Sequence, residues 1–345
     1  LSTYSSVIGV KIIFMKRAGK IPLKILVTGS RGKSSVVRLI HSALIANGIK
    51  AYGRITGVLP RELTPEGVVP IFRSSGGHVE EMKWWLSTLP SDAEAVVMEN
   101  SAVSPELQSL AAKWLEPGLT VVTNIYPDHQ EAWGAEEEDA AAALCRGISK
   151  YSDVVLGPSL NGKVFFLEMV TAAGCTTIHI TPSCDATCSF MENNISTALE
   201  ACRVAGLSIE RSEEAMRNVP ADLGDFRVIQ QNGSELAFAF SANDITSTIS
   251  LFEMLHWDIQ ETIVLFNHRK DRSRRLKAFK SWILEKNWKG LYITGDRPVL
   301  PWTWKYFRSS SDMNEFLRFF GEGKKIFGCG NIAGLPLKYV LERME

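Results

Sequence analysis

The chain has 345 residues, 45% of them hydrophobic, with 38 basic and 38 acidic side chains and therefore no net charge. That length and apolar content allow a large core, most naturally divided between two domains, and the even charge gives no ground for nucleic acid or a membrane surface as partner. Six cysteines without a CxxC pair suit a reducing, cytoplasmic compartment rather than a disulfide framework.

In chain order, Val7 to Met15 (VIGVKIIFM) is apolar but too short to cross a bilayer, and it carries Lys11. Residues 1–20 read as a docking segment ending in Lys16, Arg17 and Lys20, with the remnant of a membrane anchor as the alternative. Ile25–Val27 then predicts a strand, and Val36, Val37, Ile40 and Leu44 recur at helical intervals. The turn between them, TGSRGKSS, holds Gly29, Ser30, Arg31, Gly32, Lys33, Ser34 and Ser35. Glycines let backbone approach a ligand, and a helix N-terminus aims N–H groups and the positive end of its dipole at one point, which suits a phosphate. Lys33 would reach the outer phosphates and the Ser34 hydroxyl a magnesium ion. Val27 stands where a strict phosphate loop has glycine, and an ordinary βα turn is the plainer alternative.

Further strands are predicted at Ala95–Met98, Thr120–Thr123, Val154–Leu156 and Thr177–Ile180, alternating with helical patterns. This is an α/β class with a parallel sheet, whose sites lie beyond the carboxyl ends of the strands. Three polar loops follow such ends: Thr28–Ser34, Glu99-Asn100-Ser101 and Asn124–His129. The acidic, alanine-rich stretch Glu136–Leu144 reads first as a solvated helical face. His179, Cys184 and Cys188 lack a fourth ligand and knuckle spacing, so reduced thiols are the simpler reading than zinc. After a helix at Asn194–Ala205, a second alternation (Leu236–Phe240, Thr262–Phe266, Leu291–Thr294, Lys325–Phe327) predicts a smaller α/β domain. The polar tetrad Gln231-Asn232-Gly233-Ser234 marks the expected boundary, giving domains of 21–233 and 234–345.

Glu99 closes a buried strand, where a carboxylate needs a cation or donors. His129 follows Asp128 past another strand end, so a carboxylate and an imidazole beside a phosphate loop suggest a second divalent ion; because imidazole is unusual for magnesium, manganese stays open. A capping carboxylate and a hydrogen-bonded turn histidine are the structural alternatives.

VTGSRGKSS, VMENSAVSPELQ and TNIYPDHQEAWG, in this order, resemble the ATP-binding core of the Mur ligase superfamily, which includes the folylpolyglutamate synthases. FSANDITST, LFNHRKDRSRR and FGCGNIAG narrow the resemblance to the ligase subunit of poly-γ-glutamate synthases, the PgsB/CapB type. The resemblance implies a P-loop ATPase domain followed by a smaller Rossmann-like domain. It also implies an acid–amino-acid ligase: ATP converts a carboxylate to an acyl phosphate, and an amine displaces phosphate to give an amide.

By the same resemblance, Gly29, Gly32, Lys33 and Ser34 are the phosphate loop, Ser34 and Glu99 hold the first metal, and His129 the second. Asn124 and Asp128 shape that motif, and Asn194 falls near adenine. Arg227 is directed at the γ-phosphate, and Asn243 belongs to a nucleotide-facing loop. Asn267, Arg269, Asp271 and Arg272 match an NxRxDR signature, and because arginine grips carboxylates bidentately they are candidates for the glutamate or polymer site. The implied cofactors are ATP and Mg2+, or Mn2+. The implied partners are glutamate, the poly-γ-glutamate chain and membrane subunits of a synthase, so that association with the membrane comes through partners or an N-terminal segment; a homo-oligomer is left open. The carbamylated lysine of many relatives has no counterpart before Lys150, and Ala239 replaces an aspartate of several relatives.

Phosphoryl transfer to a carboxylate brings two anions together, which Lys33 and metal ions would offset. Acyl phosphates hydrolyse, so a second domain that closes on the first would exclude water. The expected activity is therefore ATP-dependent extension of poly-γ-glutamate; the alternatives are another γ-glutamyl ligase and a non-catalytic ATP-binding assembly subunit.

Overall fold

The computed structural model describes residues 20–73, 76–129, 131–183, 189–242, 244–296, 298, 305–306, 320–321 and 323–344. The expected N-terminal docking segment up to residue 19, Cys184, Cys188 and Asn243 lie outside the described residues. The chain forms two compact units, Leu1–Pro220 and Ala221–Glu345.

The first unit contains β1 (Leu23–Thr28), α1 (Lys33–Ala46), β2 (Ala51–Ile55), β3 (Arg61–Thr64), β4 (Gly67–Pro70), α2 (Glu81–Thr88), β5 (Ala95–Glu99), α3 (Gln108–Leu115) and β6 (Leu119–Val122). It continues through α4 (Glu137–Cys145), β7 (Asp153–Leu156), α5 (Val164–Ala172), β8 (Ile178–Ile180), α6 (Phe190–Val204) and α7 (Ile209–Arg217). The sheet order is β4-β3-β2-β5-β1-β6-β7-β8. It is parallel from β2 to β8, with β3 and β4 added antiparallel at one edge.

The central strands are almost continuous Val, Ile and Leu because both faces are covered. Period-two alternation divides their side chains. Ile25, Val27, Ala95 and Val97 pack with Val37, Ile40 and Leu44 of α1 and with Ala198 of α6. Leu26, Val96 and Met98 pack on the opposite face with Met82 and Trp85 of α2 and Ala111 of α3. Nearer the β7 side, Val122, Val154 and Leu156 meet Ala141 and Leu144 of α4 and Phe166 of α5. The stretch expected as a solvated face thus buries Ala140, Ala141, Ala143 and Leu144, while its acids occupy the first turn, where they oppose the helix dipole favourably.

β1 lies between β5 and β6, with Val27 opposite Glu99 and Thr28 opposite Val122. The connections leaving these strands therefore emerge side by side at one carboxyl end, where sites form in such sheets. Lys150 precedes β7, which places it at the amino end.

The second unit contains β9 (Val228–Gln231), β10 (Ser234–Phe238), α8 (Ile245–Glu253), β11 (Thr262–His268), α9 (Ser273–Leu284), β12 (Gly290–Gly295), β13 (Lys305–Tyr306), β14 (Lys325–Cys329) and α10 (Leu335–Met344). Its sheet order is β13-β12-β11-β14-β10-β9, parallel except for β9. Edge-to-face contacts among Phe252, Trp282, Trp288 and Phe327 fill one side of its core. The expected boundary at 233/234 is corrected: Gln231 and Ser234 are ladder partners across the β9–β10 hairpin, so the strand before Gly233 belongs to the second sheet.

Candidate active site

After β1 the backbone turns through Gly29 (φ 128°) and Gly32 (φ 77°) into α1. Both angles favour glycine, and both positions are crowded: a Cβ on Gly29 would lie 2.1 Å from Thr123 Oγ1, and one on Gly32 2.5 Å from Asn194 Oδ1. The amide of Asn194 thus packs against the loop itself. Gly32 caps α1 without a side chain, leaving the leading N–H groups for an anion.

The segment after β6 clasps this loop. Asn124 Oδ1 accepts from the Arg31 N–H (2.9 Å), while Asn124 Nδ2 donates to the Arg31 carbonyl (3.1 Å). Thr123 Oγ1 donates to the same carbonyl (2.6 Å), and Ser30 Oγ donates to the Tyr126 carbonyl (2.6 Å). Lys33 folds over the loop, its Nζ donating to the carbonyls of Gly29 (2.7 Å) and Ser30 (3.3 Å). Burial pulls its pKa below the ordinary lysine range against the opposing pull of the Glu99 and Asp128 carboxylates. A phosphate group would give that ammonium a far stronger partner than two carbonyls.

Glu99, only 5% exposed, ends β5 with both oxygens engaged. Oε2 accepts from Ser34 Oγ (2.7 Å) and the Thr56 N–H (3.0 Å), and Oε1 from Thr56 Oγ1 (3.0 Å). Thr56, just past β2, was not singled out in the sequence; ITG after a strand that is hard to recognise is its only signal. The Ser34 hydroxyl and Glu99 carboxylate are hard oxygen donors of the kind that hold magnesium or manganese together with nucleotide phosphates and water. Among the described residues no cluster of three or more His, Cys, Asp or Glu forms an all-protein cage.

Asp128 pairs with Arg31 (3.2 Å) and lies 3.6 Å from His129 Nε2, while its Oδ1 accepts from the His129 N–H (2.8 Å). Burial would raise its pKa, but the Arg31 and His129 charges and that N–H hold it below the usual carboxylate value. His129 has a left-handed φ of 45° and meets the Trp133 ring edge-on at 5.2 Å. Lys150, at the opposite end of the strands, is not placed to join this group. Ser35 lies in the first turn of α1.

In the second unit, Arg227 bends onto its own segment, donating to the carbonyls of Asp222 (3.3 Å) and Leu223 (3.4 Å). Asn267 is buried and braces the loop after β14, its Nδ2 donating to the carbonyls of Asn331 (2.6 Å) and Ala333 (2.8 Å). Arg269 forms a fork with Asp271 through Nε (2.9 Å) and Nη2 (2.6 Å), and Arg272 leads into α9.

Residues 27–213 match the Mur ligase middle domain, and residues 225–345 the poly-gamma-glutamate synthase CapB C-terminal domain. The chain is 25% identical to the PGA synthase CapB of Bacillus subtilis (strain 168), over 92% of this chain and 89% of that protein. The fold is shared with E. coli FolC in complex with ADP (TM-score 0.67, 18% identity, covering 96% of this chain and 92% of that one). It is also shared with a bifunctional folylpolyglutamate synthase/dihydrofolate synthase with Mn, AMPPNP and L-glutamate bound (TM-score 0.65, 14% identity, covering 97% and 93%). With the middle domain spanning more than half of its length and the CapB domain following, this chain belongs to the Mur ligase family and is of its CapB type.

Proposed function

We propose that this chain is an ATP-dependent amide ligase that extends poly-γ-glutamate. The observation that carries the reading is the contact of the Ser34 hydroxyl with the Glu99 carboxylate at the foot of a glycine turn that also holds Lys33. This is the arrangement a nucleotide triphosphate and a divalent cation require. The CapB domain, and the names of the relatives that share it, support a glutamyl polymer as acceptor rather than a pteridine.

In the proposed reaction a carboxylate oxygen of the chain end attacks the γ-phosphorus of ATP, and the bond to ADP breaks. The amine of glutamate then attacks the acyl carbon, phosphate departs with the bonding pair, and the amine loses a proton. The N–H groups from Gly32 to Ser35, at the start of α1, bind the phosphates, and Lys33 offsets the repulsion between the two anions. Thr123, Asn124 and Asn194 hold the loop in shape. Ser34 and Glu99 would hold a magnesium ion, or manganese as in the ligand-bound relative, which supplies charge neutralisation between the phosphates. We assign His129, oriented by Asp128, to a second ion, Arg227 and Asn243 to the nucleotide, and Asn267, Arg269, Asp271 and Arg272 to glutamate or the polymer. We further assign the membrane subunits of a synthase as partners, so that membrane association comes through them.

Hydroxylamine trapping tests the activity. ATP with a γ-glutamyl oligomer should yield a hydroxamate and ADP in equal amounts. Nucleotide binding without hydroxamate, across oligomer lengths, would leave a non-catalytic assembly subunit as the surviving alternative.

A further inference from the structure

Arg54, in the middle of the nucleotide-binding unit, has no part in the chemistry described above. It lies on β2 opposite Met98 of β5, one residue short of Glu99 in the ladder. Its side chain is 1% exposed, and it is among the largest wholly buried side chains of the protein. Nη2 donates to Glu81 Oε2 (2.7 Å) at the start of α2, but Nη1 is buried without a hydrogen-bond partner among the described residues. Glu81 is also shared: the same Oε2 accepts from Arg73 Nε (3.0 Å) and Nη2 (2.6 Å), and Oε1 accepts from the His78 N–H (2.9 Å).

Two guanidinium groups therefore divide the Glu81 carboxylate, while Glu62, opposite Arg54 across the β2–β3 ladder, is engaged through Oε1 by Trp85 Nε1 (2.9 Å), and one buried donor of Arg54 stays unused. Burying an arginine in this state is costly, since a single unsatisfied charged donor forfeits most of what its hydrogen bond would contribute. Burial does depress the Arg54 pKa, against the pull of Glu81 and, more remotely, Glu99, but a guanidinium remains charged at any physiological pH. One added carboxylate would supply the missing acceptor for Nη1, and a planar fork suits carboxylate better than chloride or a neutral amide. Arg73, with 26% of its side chain exposed, gives that carboxylate a way in from the surface.

We infer that Arg54 and Arg73, organised by Glu81, form a carboxylate-binding subsite for the glutamyl chain whose end is activated. The inference rests on the proposed polymer-extending activity. It assigns the donor chain to the nucleotide-binding unit through residues of β2 and the β4–α2 connection, in a role separate from that of the arginines after β11.

Binding of a γ-glutamyl oligomer, followed by calorimetry with the whole protein in Mg-ADP, tests this, and ADP affinity is measured in parallel. Arg73→Ala, at a partly exposed position, should weaken oligomer binding roughly tenfold to a hundredfold with ADP affinity unchanged. Arg54→Lys should weaken it as well, because charge is kept but the fork is lost. In turnover, the KM for oligomer should rise while the KM for ATP holds. Should Arg54→Lys melt much earlier than the parent, Arg73→Ala alone decides. If both variants bind the oligomer as the parent does, the subsite is overturned while the activity stands. If they lose ADP and oligomer together, the cluster is a prop for Glu99 and not a subsite. If the parent itself binds no oligomer, both this subsite and the polymer-extending reading are overturned.

Discussion

At the carboxyl end of the first sheet, Ser34 from the start of α1 and Thr56 from just past β2 both bond Glu99 at the end of β5, and Asn124 brackets Arg31 from 93 residues away. At the carboxyl end of the second sheet, Arg269 bonds Asp271, two residues along, with 39% and 57% of the side chains exposed. The contrast separates two ways of preparing for a ligand. Polar groups locked by distant partners are positioned by folding itself, so no reorganisation remains when charge develops. An exposed local ion pair contributes little, so Arg269 can exchange Asp271 for a ligand carboxylate at small cost. The first arrangement suits chemistry on a triphosphate; the second suits capture and release of glutamate.

Substitutions that remove a locked group should do the most damage. Lys33→Ala should cut ATP-dependent hydroxamate formation by roughly a thousandfold, the scale seen when one transition-state charge partner is deleted. Retention of more than a tenth of the activity would take Lys33 out of the phosphate site. Gly32→Ala comes next. Its left-handed φ and the 2.5 Å approach to Asn194 Oδ1 leave no room for a methyl group, so the loop or the Asn194 amide packed on it must shift. A cost of about 1–3 kcal/mol should show as a lower Tm and lost protection by ADP. An unchanged Tm with full ADP protection would mean the loop tolerates the displacement.

Arg269→Ala probes the other side of the comparison. It should raise the KM for glutamate about tenfold, the loss expected for one charge-assisted fork, while Tm and ADP affinity remain unaltered. A fall in ADP affinity would place Arg269 with the nucleotide instead. Thr56→Val removes the 3.0 Å bond to Glu99 Oε1 but keeps the backbone N–H on Oε2. The magnesium concentration giving half-maximal activity should rise about fivefold, as for one neutral-to-charged hydrogen bond. No change would show that Ser34 and the N–H suffice to place the carboxylate.

The same distinction between local and distant partners governs what the sequence discloses. The phosphate loop is contiguous, and its strand, glycines and helix are all legible in one short stretch. The strands β1, β5, β6 and β7 announce themselves as apolar runs because both faces are buried. β2 does not: AYGRI carries a glycine and an arginine inside a fully buried strand, and the carboxylate that bonds the arginine, Glu81, lies 27 residues further on. Thr56 was missed for the same reason, since its meaning depends on Glu99. Gln-Asn-Gly-Ser misleads differently. Asn232 (φ 49°) and Gly233 (φ 74°) make the tight turn of a hairpin, and the same polar composition also marks linkers. Asn267, grouped by motif with Arg269, proves to be a brace whose partners, Asn331 and Ala333, are 64 and 66 residues away.

The smallest effect sets the two ion pairs against each other in acid. Asp128 and Asp271 both have pKa values depressed in the folded protein. For Asp128 the Arg31 and His129 charges and the His129 N–H outweigh burial; for Asp271 the Arg269 fork dominates. A carboxylate depressed by folding adds stability above its unfolded value, about 3.9, and loses it as pH falls through the lower folded value. Unfolding free energy of the nucleotide-free protein, followed from pH 7 to pH 3, should therefore decline less steeply below pH 4 in Asp128→Asn than in the parent. Asp271→Asn should leave the curve nearly unchanged, because solvent screens an exposed pair at every pH and the unfolded chain differs little from it. A steeper acid-range response at Asp271 than at Asp128 would reverse the ordering, making the second region the preorganised one and the phosphate loop the adaptable one.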